Sequence, residues 1–242
     1  MPEPLAKTFS LLKTSSPTIS VGILSADLMH LSSELALLEQ TDIQAVHFDV
    51  MDGCFVPVMT AGPPLIKAVK TRLLKDVHLM IQDPQVKVGD YVDAGADIIT
   101  VHVESCDDVL PVLRHLATME NKNDPGRGLV RGIACNPTTP VRLLQPLLDD
   151  VEMIVVLAVD VMVKGFPFFP SIRQKSAEVR EMISRAGKNI LLCIDGGVKK
   201  NNIAEFAAMG ADIVVSGSAI LDGKDPVGNA QFMLNAIKSR NG

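Results

Sequence analysis

The sequence predicts an α/β protein built as one (β/α)8 TIM barrel, and three observations lead to this fold class. Eight short apolar runs alternate with amphipathic segments, as in parallel strands connected by helices. The length of 242 residues is close to the usual size of such a barrel. The chain is 47% hydrophobic, with few aromatic side chains, which suits aliphatic strands buried on both faces. Eight units in one domain favour closure over an open doubly wound sheet.

The predicted strands are runs of β-branched and aliphatic residues, and amphipathic helices separate them. Strands are predicted at 18–24, 46–50, 76–81, 97–101, 129–134, 152–159, 190–194 and 212–215. Helices are expected at 27–40, 64–72, 84–95, 106–117, after Pro140, and at 171–186, 201–209 and 226–239. Asp27 is a suitable N-cap for the first of these helices. Gly95 and Gly210 each end a helix directly before the next apolar run.

The chain divides into a lead-in and one domain. Residues 1–17 are predicted to be irregular or partly helical, because Pro2, Pro4 and Pro17 interrupt them. No change in composition marks a boundary after that point. Residues 18–242 are therefore assigned to a single barrel domain.

Charge and composition exclude several classes of partner. The net charge of −5 and the lack of a Lys/Arg run argue against nucleic acid and against an anionic membrane surface. No apolar run reaches the roughly 18–20 residues that span a bilayer, and the N-terminus lacks the features of a signal peptide. The four Cys residues are far apart without CxxC spacing, so reduced thiols in a cytoplasmic protein are expected.

Four potential metal ligands follow predicted strands. His47 and Asp49 share one face of the second strand, His78 lies on the third, and Asp195 follows the seventh. The carboxyl ends of barrel strands form the active-site rim, so these side chains should converge. Two imidazoles and two carboxylates suit one divalent metal ion; we favour Zn²⁺, and Fe²⁺, Co²⁺ or Mn²⁺ fit the same ligands. The alternative is that each is a hydrogen-bonded polar group at a strand end.

Glycines mark the loops after the last two strands. Gly196 and Gly197 follow strand seven, and Gly217 and Ser218 follow strand eight. These two loops form the usual phosphate site of such barrels. A phosphorylated small molecule is the expected ligand, although the glycines can also serve only as turns.

Short sequence motifs spread along the chain form one pattern. They are Ile-Leu-Ser-Ala-Asp at 23–27, His-Phe-Asp-Val-Met-Asp-Gly at 47–53, Phe-Val-Pro at 55–57, Asp-Val-His-Leu-Met-Ile at 76–81, Ala-Gly-Ala-Asp at 94–97, Asn-Pro at 136–137, Asp-Gly-Gly-Val at 195–198 and Gly-Ser at 217–218. With these motifs the chain resembles the ribulose-phosphate 3-epimerase family from about residue 18 to 235. The resemblance implies a metal held by His47, Asp49, His78 and Asp195. It also implies that Asp49 and Asp195 are the proton acceptor and donor, and that the protein is a homo-oligomer.

The implied reaction agrees with the chemistry of these residues. Inverting a carbon beside a carbonyl requires one acid/base group on each face of the substrate, and strands two and seven are expected to face each other across the barrel. The metal would stabilise an enediolate as a Lewis acid. Met51 and Met80 can line the site near the reacting carbon, or they can be ordinary barrel packing.

The chain departs from the family pattern in two places. The family carries Pro-Ser where this chain has Val21-Gly22, and that serine contacts the substrate. The family's Pro-Gly-Phe-Gly-Gly loop after strand six is replaced by Val-Met-Val-Lys-Gly-Phe-Pro at 161–167. Close approach to a phosphate favours Gly, and Val163 does not easily take a positive φ. Lys164 either replaces the lost contacts with a charge or is a solvated lysine.

One further pair lies at the end of strand four. His102 and Glu104 share a face there, and we interpret them as polar residues of the rim, with a supporting role for the metal ligands as the alternative.

These observations predict a metal-dependent epimerase acting at C3 of a ketose phosphate. D-ribulose 5-phosphate and D-xylulose 5-phosphate, a pair of pentose phosphate metabolism, are the favoured substrate and product. The alternatives are an epimerase of a ketohexose 6-phosphate and a barrel that binds metal or sugar without turnover.

Overall fold

The computed structural model describes residues 7–166 and 168–239, and its eight parallel strands close into a barrel in chain order. Each strand pairs with the next, and the eighth pairs with the first, which confirms the predicted (β/α)8 fold. The strands are β1 Thr18–Gly22, β2 Ala45–Met51, β3 Leu74–Met80, β4 Ile98–His102, β5 Val130–Cys135, β6 Met153–Leu157, β7 Leu191–Asp195 and β8 Ile213–Val215.

Helices cover the outside of the barrel, and several of them differ from expectation in where they begin or end, or in helix type. The α-helices are α1 Lys7–Ser15, α2 Leu31–Leu38, α3 Pro63–Ala68, α4 Val88–Asp93, α5 Leu110–Ala117, α6 Ile172–Ala186, α7 Ile203–Ala208 and α8 Pro226–Lys238. Asp27 caps a separate 3₁₀ turn, Leu28–His30, before α2. The segment after Pro140 is a 3₁₀ helix, Val141–Leu147, because Pro146 inside it cannot donate an α-helical hydrogen bond. Within the described ranges, no helix is long and apolar enough to cross a membrane.

Two apolar layers follow from the alternation of side chains along the strands. Outward residues such as Val46, Phe48 and Val50 on β2 are buried beneath the helices. Inward residues such as Ala45 on β2 and Val155 on β6 fill the barrel. His47 and Asp49 belong to the inward set of β2, so their polar groups lie inside the barrel, where burial without a partner is costly.

Part of the lead-in is a helix that closes the amino end of the barrel. Phe9 and Leu12 of α1 are fully buried and belong to the interior apolar cluster. The Thr8 hydroxyl donates to the carbonyl oxygens of Arg127 and Gly128, just before β5. Helix α1 therefore shares the core of the barrel. The first six residues lie outside the described ranges.

Candidate metal centre and active site

The register between β2 and β3 places one imidazole beside one carboxylate on two successive inward rungs. His47 is the register partner of Asp76, and Asp49 is the partner of His78. Partners in a parallel ladder point to the same face, so the order His-x-Asp on β2 meets the order Asp-x-His on β3. His47 and His78 are both buried, with 2% and 0% of their surface exposed.

The structure brings together the four side chains expected to bind metal. One ligand atom from each of His47, Asp49, His78 and Asp195 lies within 4.8 Å of the others. His47 Nε2 is 3.2 Å from Asp49 Oδ1, and His78 Nδ1 is 3.3 Å from Asp195 Oδ2. Asp195 reaches the cluster from the carboxyl end of β7, three strands from β2 around the ring. β2 and β7 therefore do not lie diametrically opposite each other, contrary to the expectation from the sequence.

The donor atoms of this cluster fit a divalent metal. His78 Nδ1 is buried and has no hydrogen-bond partner among the described residues. A buried lone pair without a partner is costly unless a ligand takes it. Two imidazole nitrogens and two carboxylate oxygens are ligands that Zn²⁺ and Fe²⁺ accept.

Without a metal, the carboxylates stabilise positive charge on the imidazoles. Burial disfavours a charged His47, but the carboxylates of Asp76 and Asp49 outweigh it and raise the pKa of His47 well above 6.5. Burial also disfavours a charged Asp49, but the imidazoles of His47 and His78 outweigh it and lower the pKa of Asp49 below 3.8. The cluster therefore stabilises positive charge at this position.

Each buried imidazole has a partner behind it. His47 Nδ1 donates to Asp76 Oδ2 at 2.7 Å, and the Ser20 hydroxyl donates to the same oxygen at 2.8 Å. His78 Nε2 lies 2.9 Å from His102 Nε2. His102 is fully buried, so its interpretation as a residue of the rim was wrong. The sequence signal for it was the His-x-Glu pattern at the end of β4.

A cavity of about 150 Å³ opens beside the cluster. Asp49 and Asp195 line it, and so do the four residues expected to bind phosphate, Gly196, Gly197, Gly217 and Ser218. Gly217 allows the ends of β1 and β8 to approach closely, because a Cβ there would lie 2.7 Å from the carbonyl oxygen of Gly22. The acid/base residues and the glycine loops thus share one cavity.

The two methionines are the last residues of β2 and β3, so they lie at the carboxyl rim, one inward rung above Asp49 and His78. Met51 and Met80 are register partners on β2 and β3. Met80 is buried, and both belong to the interior apolar cluster. Neither of them lines the cavity at the glycine loops.

The segment after β6 forms a compact turn. Val159 pairs with Phe168 in an isolated antiparallel bridge. The left-handed conformation falls on Gly165 and Phe166, with φ of 91° and 48°, whereas Val163 avoids it. A Cβ on Gly197 would lie 3.4 Å from the Phe168 ring, so an aromatic side chain borders the glycine loop. Pro167 lies outside the described residues.

Three lysines differ in their position relative to the glycine loops. Lys164 is exposed in the turn after β6 and does not line the cavity. Lys199 does line it, and it makes no ion pair with any described residue. The ammonium group of Lys200 donates a hydrogen bond to Asn229 Oδ1 and lies 3.9 Å from Asp222 Oδ2. The sequence reading missed Lys199, although it follows directly after Asp-Gly-Gly-Val at 195–198.

Acid/base residues grouped beside a cavity at the carboxyl rim of a (β/α)8 barrel define an enzyme of this fold class. The family model described as the ribulose-phosphate 3 epimerase family matches residues 18–221. The chain therefore belongs to the ribulose-phosphate 3-epimerase family, and it is an epimerase.

Individual relatives agree with this assignment. The ribulose-phosphate 3-epimerase of Escherichia coli K12 is 39% identical over 210 residues, which are 86% of this chain and 90% of the relative. That of Bacillus subtilis strain 168 is 35% identical over 210 residues, 86% of this chain and 93% of the relative. The crystal structure of 3-hexulose-6-phosphate synthase from Salmonella typhimurium superposes with a TM-score of 0.60 at 17% identity, over 93% of this chain and 100% of that one. At that identity the likeness supports the fold alone.

Proposed function

We propose that this protein epimerises C3 of a ketose phosphate, interconverting D-ribulose 5-phosphate and D-xylulose 5-phosphate, with one divalent metal ion. The observation that carries the proposal is the meeting of Asp49 and Asp195 with two buried imidazoles beside the glycine-lined cavity. The activity of the named relatives supports the choice of substrate.

The two aspartates have the properties that a two-base mechanism needs. Asp49 removes the C3 proton from one face, and Asp195 returns a proton to the other. The ionised carboxylate of Asp49 is the form that accepts this proton. His47, Asp49, His78 and Asp195 would hold the metal, which supplies positive charge that stabilises the enediolate. Met51 and Met80, at the rim, would supply an apolar lining near the reacting carbon.

The phosphate is expected at the glycine loops. Gly196 and Gly197 expose backbone there, as do Gly217 and Ser218. Lys164 and Lys199 are the two candidates for a charge contact to it. The position of Lys199 at the cavity favours Lys199, whereas Lys164 would have to act through a movement of its turn.

Proton exchange at C3 in deuterated water, measured over a panel of pentulose and hexulose phosphates, tests the proposal. We expect exchange with D-ribulose 5-phosphate and a loss of activity in both Asp49→Asn and Asp195→Asn. Near-normal turnover in either variant would contradict the two-base assignment. Faster exchange with a ketohexose 6-phosphate would identify that sugar class as the substrate. The segment after β6, which differs from the family pattern, is the reason for testing this alternative.

Two broader expectations belong to the same proposal. All four cysteines are free thiols, which supports a reducing compartment such as the cytoplasm. The homo-oligomer implied by the family stays a prediction, which light scattering would check.

A further inference from the structure

We infer that Glu104, acting through His102, selects the tautomer of His78 and thereby keeps His78 Nδ1 free to bind a cation. Glu104 and His102 are positioning residues in this role, because neither belongs to the four-residue cluster. The inference rests on the proposed function for the identity of that cation, and on hydrogen-bond geometry for the tautomer.

A continuous row of contacts joins Glu104 to His78. Glu104 Oε2 lies 3.0 Å from His102 Nδ1, and His102 Nε2 lies 2.9 Å from His78 Nε2. The two rings are nearly parallel, with 7° between their planes and 5.0 Å between their centroids. The far end of the row is His78 Nδ1, which faces Asp49 and Asp195.

The direction of every hydrogen bond in this row follows from its first member. A carboxylate only accepts, so His102 Nδ1 must carry a proton and donate it to Glu104. The other nitrogen of a neutral His102 is then an acceptor, so His78 Nε2 must donate. In a neutral His78 this leaves Nδ1 with a lone pair, the state that a metal ligand requires.

The carboxylate of Glu104 is itself held in place by hydrogen bonds, so that it cannot rotate away from His102. Its second oxygen, Oε1, accepts from the backbone N–H of Asn136 at 2.8 Å and from the Thr139 hydroxyl. A backbone N–H cannot accept in return. The Lys175 ammonium group fastens the same segment by donating to the carbonyl oxygens of Asn136, Pro137 and Thr139. Lys175 is itself buried.

This arrangement makes glutamine the most harmful replacement for Glu104, although it has the same shape. The amide oxygen of Gln must stay with the Asn136 N–H, which turns its NH₂ group toward His102 Nδ1. That nitrogen becomes an acceptor, and the donors reverse along the row. His78 Nδ1 then carries a hydrogen directed at the cluster, where the cation would bind. Alanine removes the partner without imposing the wrong tautomer.

His47 offers a comparison within the same site. Asp76 accepts directly from His47 Nδ1, so that the tautomer is set in one step. For His78 the same result needs two steps, because the equivalent carboxylate lies behind a second imidazole. The row is therefore specific to the β3–β4 side of the cluster.

The test compares Glu104→Gln and Glu104→Ala in metal-free protein at alkaline pH, where the imidazoles are neutral. Long-range ¹⁵N–¹H spectra of labelled histidine report which nitrogen of His78 carries the proton. We expect Nε2 in the parent, Nδ1 in Glu104→Gln and a mixture in Glu104→Ala. Zn²⁺ affinity, measured by competition with a chelator, should fall about 10–100-fold in Glu104→Gln and less in Glu104→Ala.

Glu39→Gln is a matched control. Its carboxylate oxygen also accepts from a threonine hydroxyl, that of Thr71, and from a backbone N–H, that of Arg72, but it has no histidine partner. Its spectra and Zn²⁺ affinity should equal those of the parent. A purely structural role for Glu104 predicts the opposite order, with Gln tolerated better than Ala. That order, or an unchanged His78 tautomer in Glu104→Gln, would overturn the inference. A parent that binds no Zn²⁺ would instead refute the proposed metal centre, because the tautomer is read without metal.

Discussion

Gly22→Ser should raise the catalytic efficiency of this enzyme on D-ribulose 5-phosphate. Gly22 lines the cavity at the end of β1, the position at which the resemblance to the family implies a serine contact to the substrate. Its φ of −66° and ψ of 113° suit any L-residue. A Cβ there would lie 3.5 Å from the nearest heavy atom, Cα of Gly217, which is an ordinary van der Waals contact. The side chain therefore fits without displacing the backbone.

The size of the gain follows from one added hydrogen bond. A neutral hydrogen bond contributes about 0.5–1.5 kcal/mol. If the serine hydroxyl reaches the substrate in the transition state, kcat/KM should rise about 2–12-fold, at about 1.4 kcal/mol for each factor of ten. A coupled assay of D-xylulose 5-phosphate formation measures it. Gly22→Ala adds the Cβ without the hydroxyl and is the control. Equal or lower efficiency of Gly22→Ser relative to Gly22→Ala would refute the reasoning.

Three further predictions concern the metal and the phosphate. Chelation of the metal should abolish activity and lower Tm. The fall in Tm is expected because a metal at 100 times its Kd adds about 2.7 kcal/mol to the free energy of unfolding. Unchanged Tm and activity would refute metal dependence. Zn²⁺ affinity should rise with pH, because the raised pKa of His47 means that metal binding must displace a proton. For one displaced proton, the affinity should rise about tenfold per pH unit until the pH passes that pKa. A titration that is flat below neutral pH would contradict this. Lys199→Met should raise KM for phosphorylated ketoses about tenfold and leave KM for non-phosphorylated ketoses unchanged. Lys164→Met should raise KM less. A larger effect of Lys164→Met would assign the phosphate contact to Lys164.

Much of the fold was predictable because each strand and helix carries a local signal. The predicted strand 46–50 lies inside β2, and the predicted helix 171–186 agrees with α6 to within one residue. The helix predicted at 27–40 was less accurate. Asp27 is an N-cap, but of a 3₁₀ turn, and α2 begins only at Leu31. Capping chemistry identifies the start of a turn and does not determine whether the helix continues through it.

The contacts of the site were predictable only in part. His47 and Asp49 are two residues apart on one strand, so the alternation of side chains is enough to place them together. The hydrogen bonds between His47 and Asp76 and between His78 and His102 join neighbouring strands, and they depend on register. One residue of slip would turn each partner to the other face of the sheet. The compact turn after β6 depends likewise on packing against Gly197.

The amino-acid sequence by itself determined the barrel, the inward side chains of each strand and the residue types at the rim. These depend on the period of hydrophobicity and on chemistry carried within single segments. Tertiary structure alone decided which imidazole meets which carboxylate, which nitrogen of His78 is left without a partner, and that Lys199 lies at the cavity. Those relations are set by closure of the ring and by the register between strands far apart in the chain. His78 and His102, for example, are 24 residues apart in the chain, and their ring nitrogens come within hydrogen-bond distance only because β3 and β4 pair in this register.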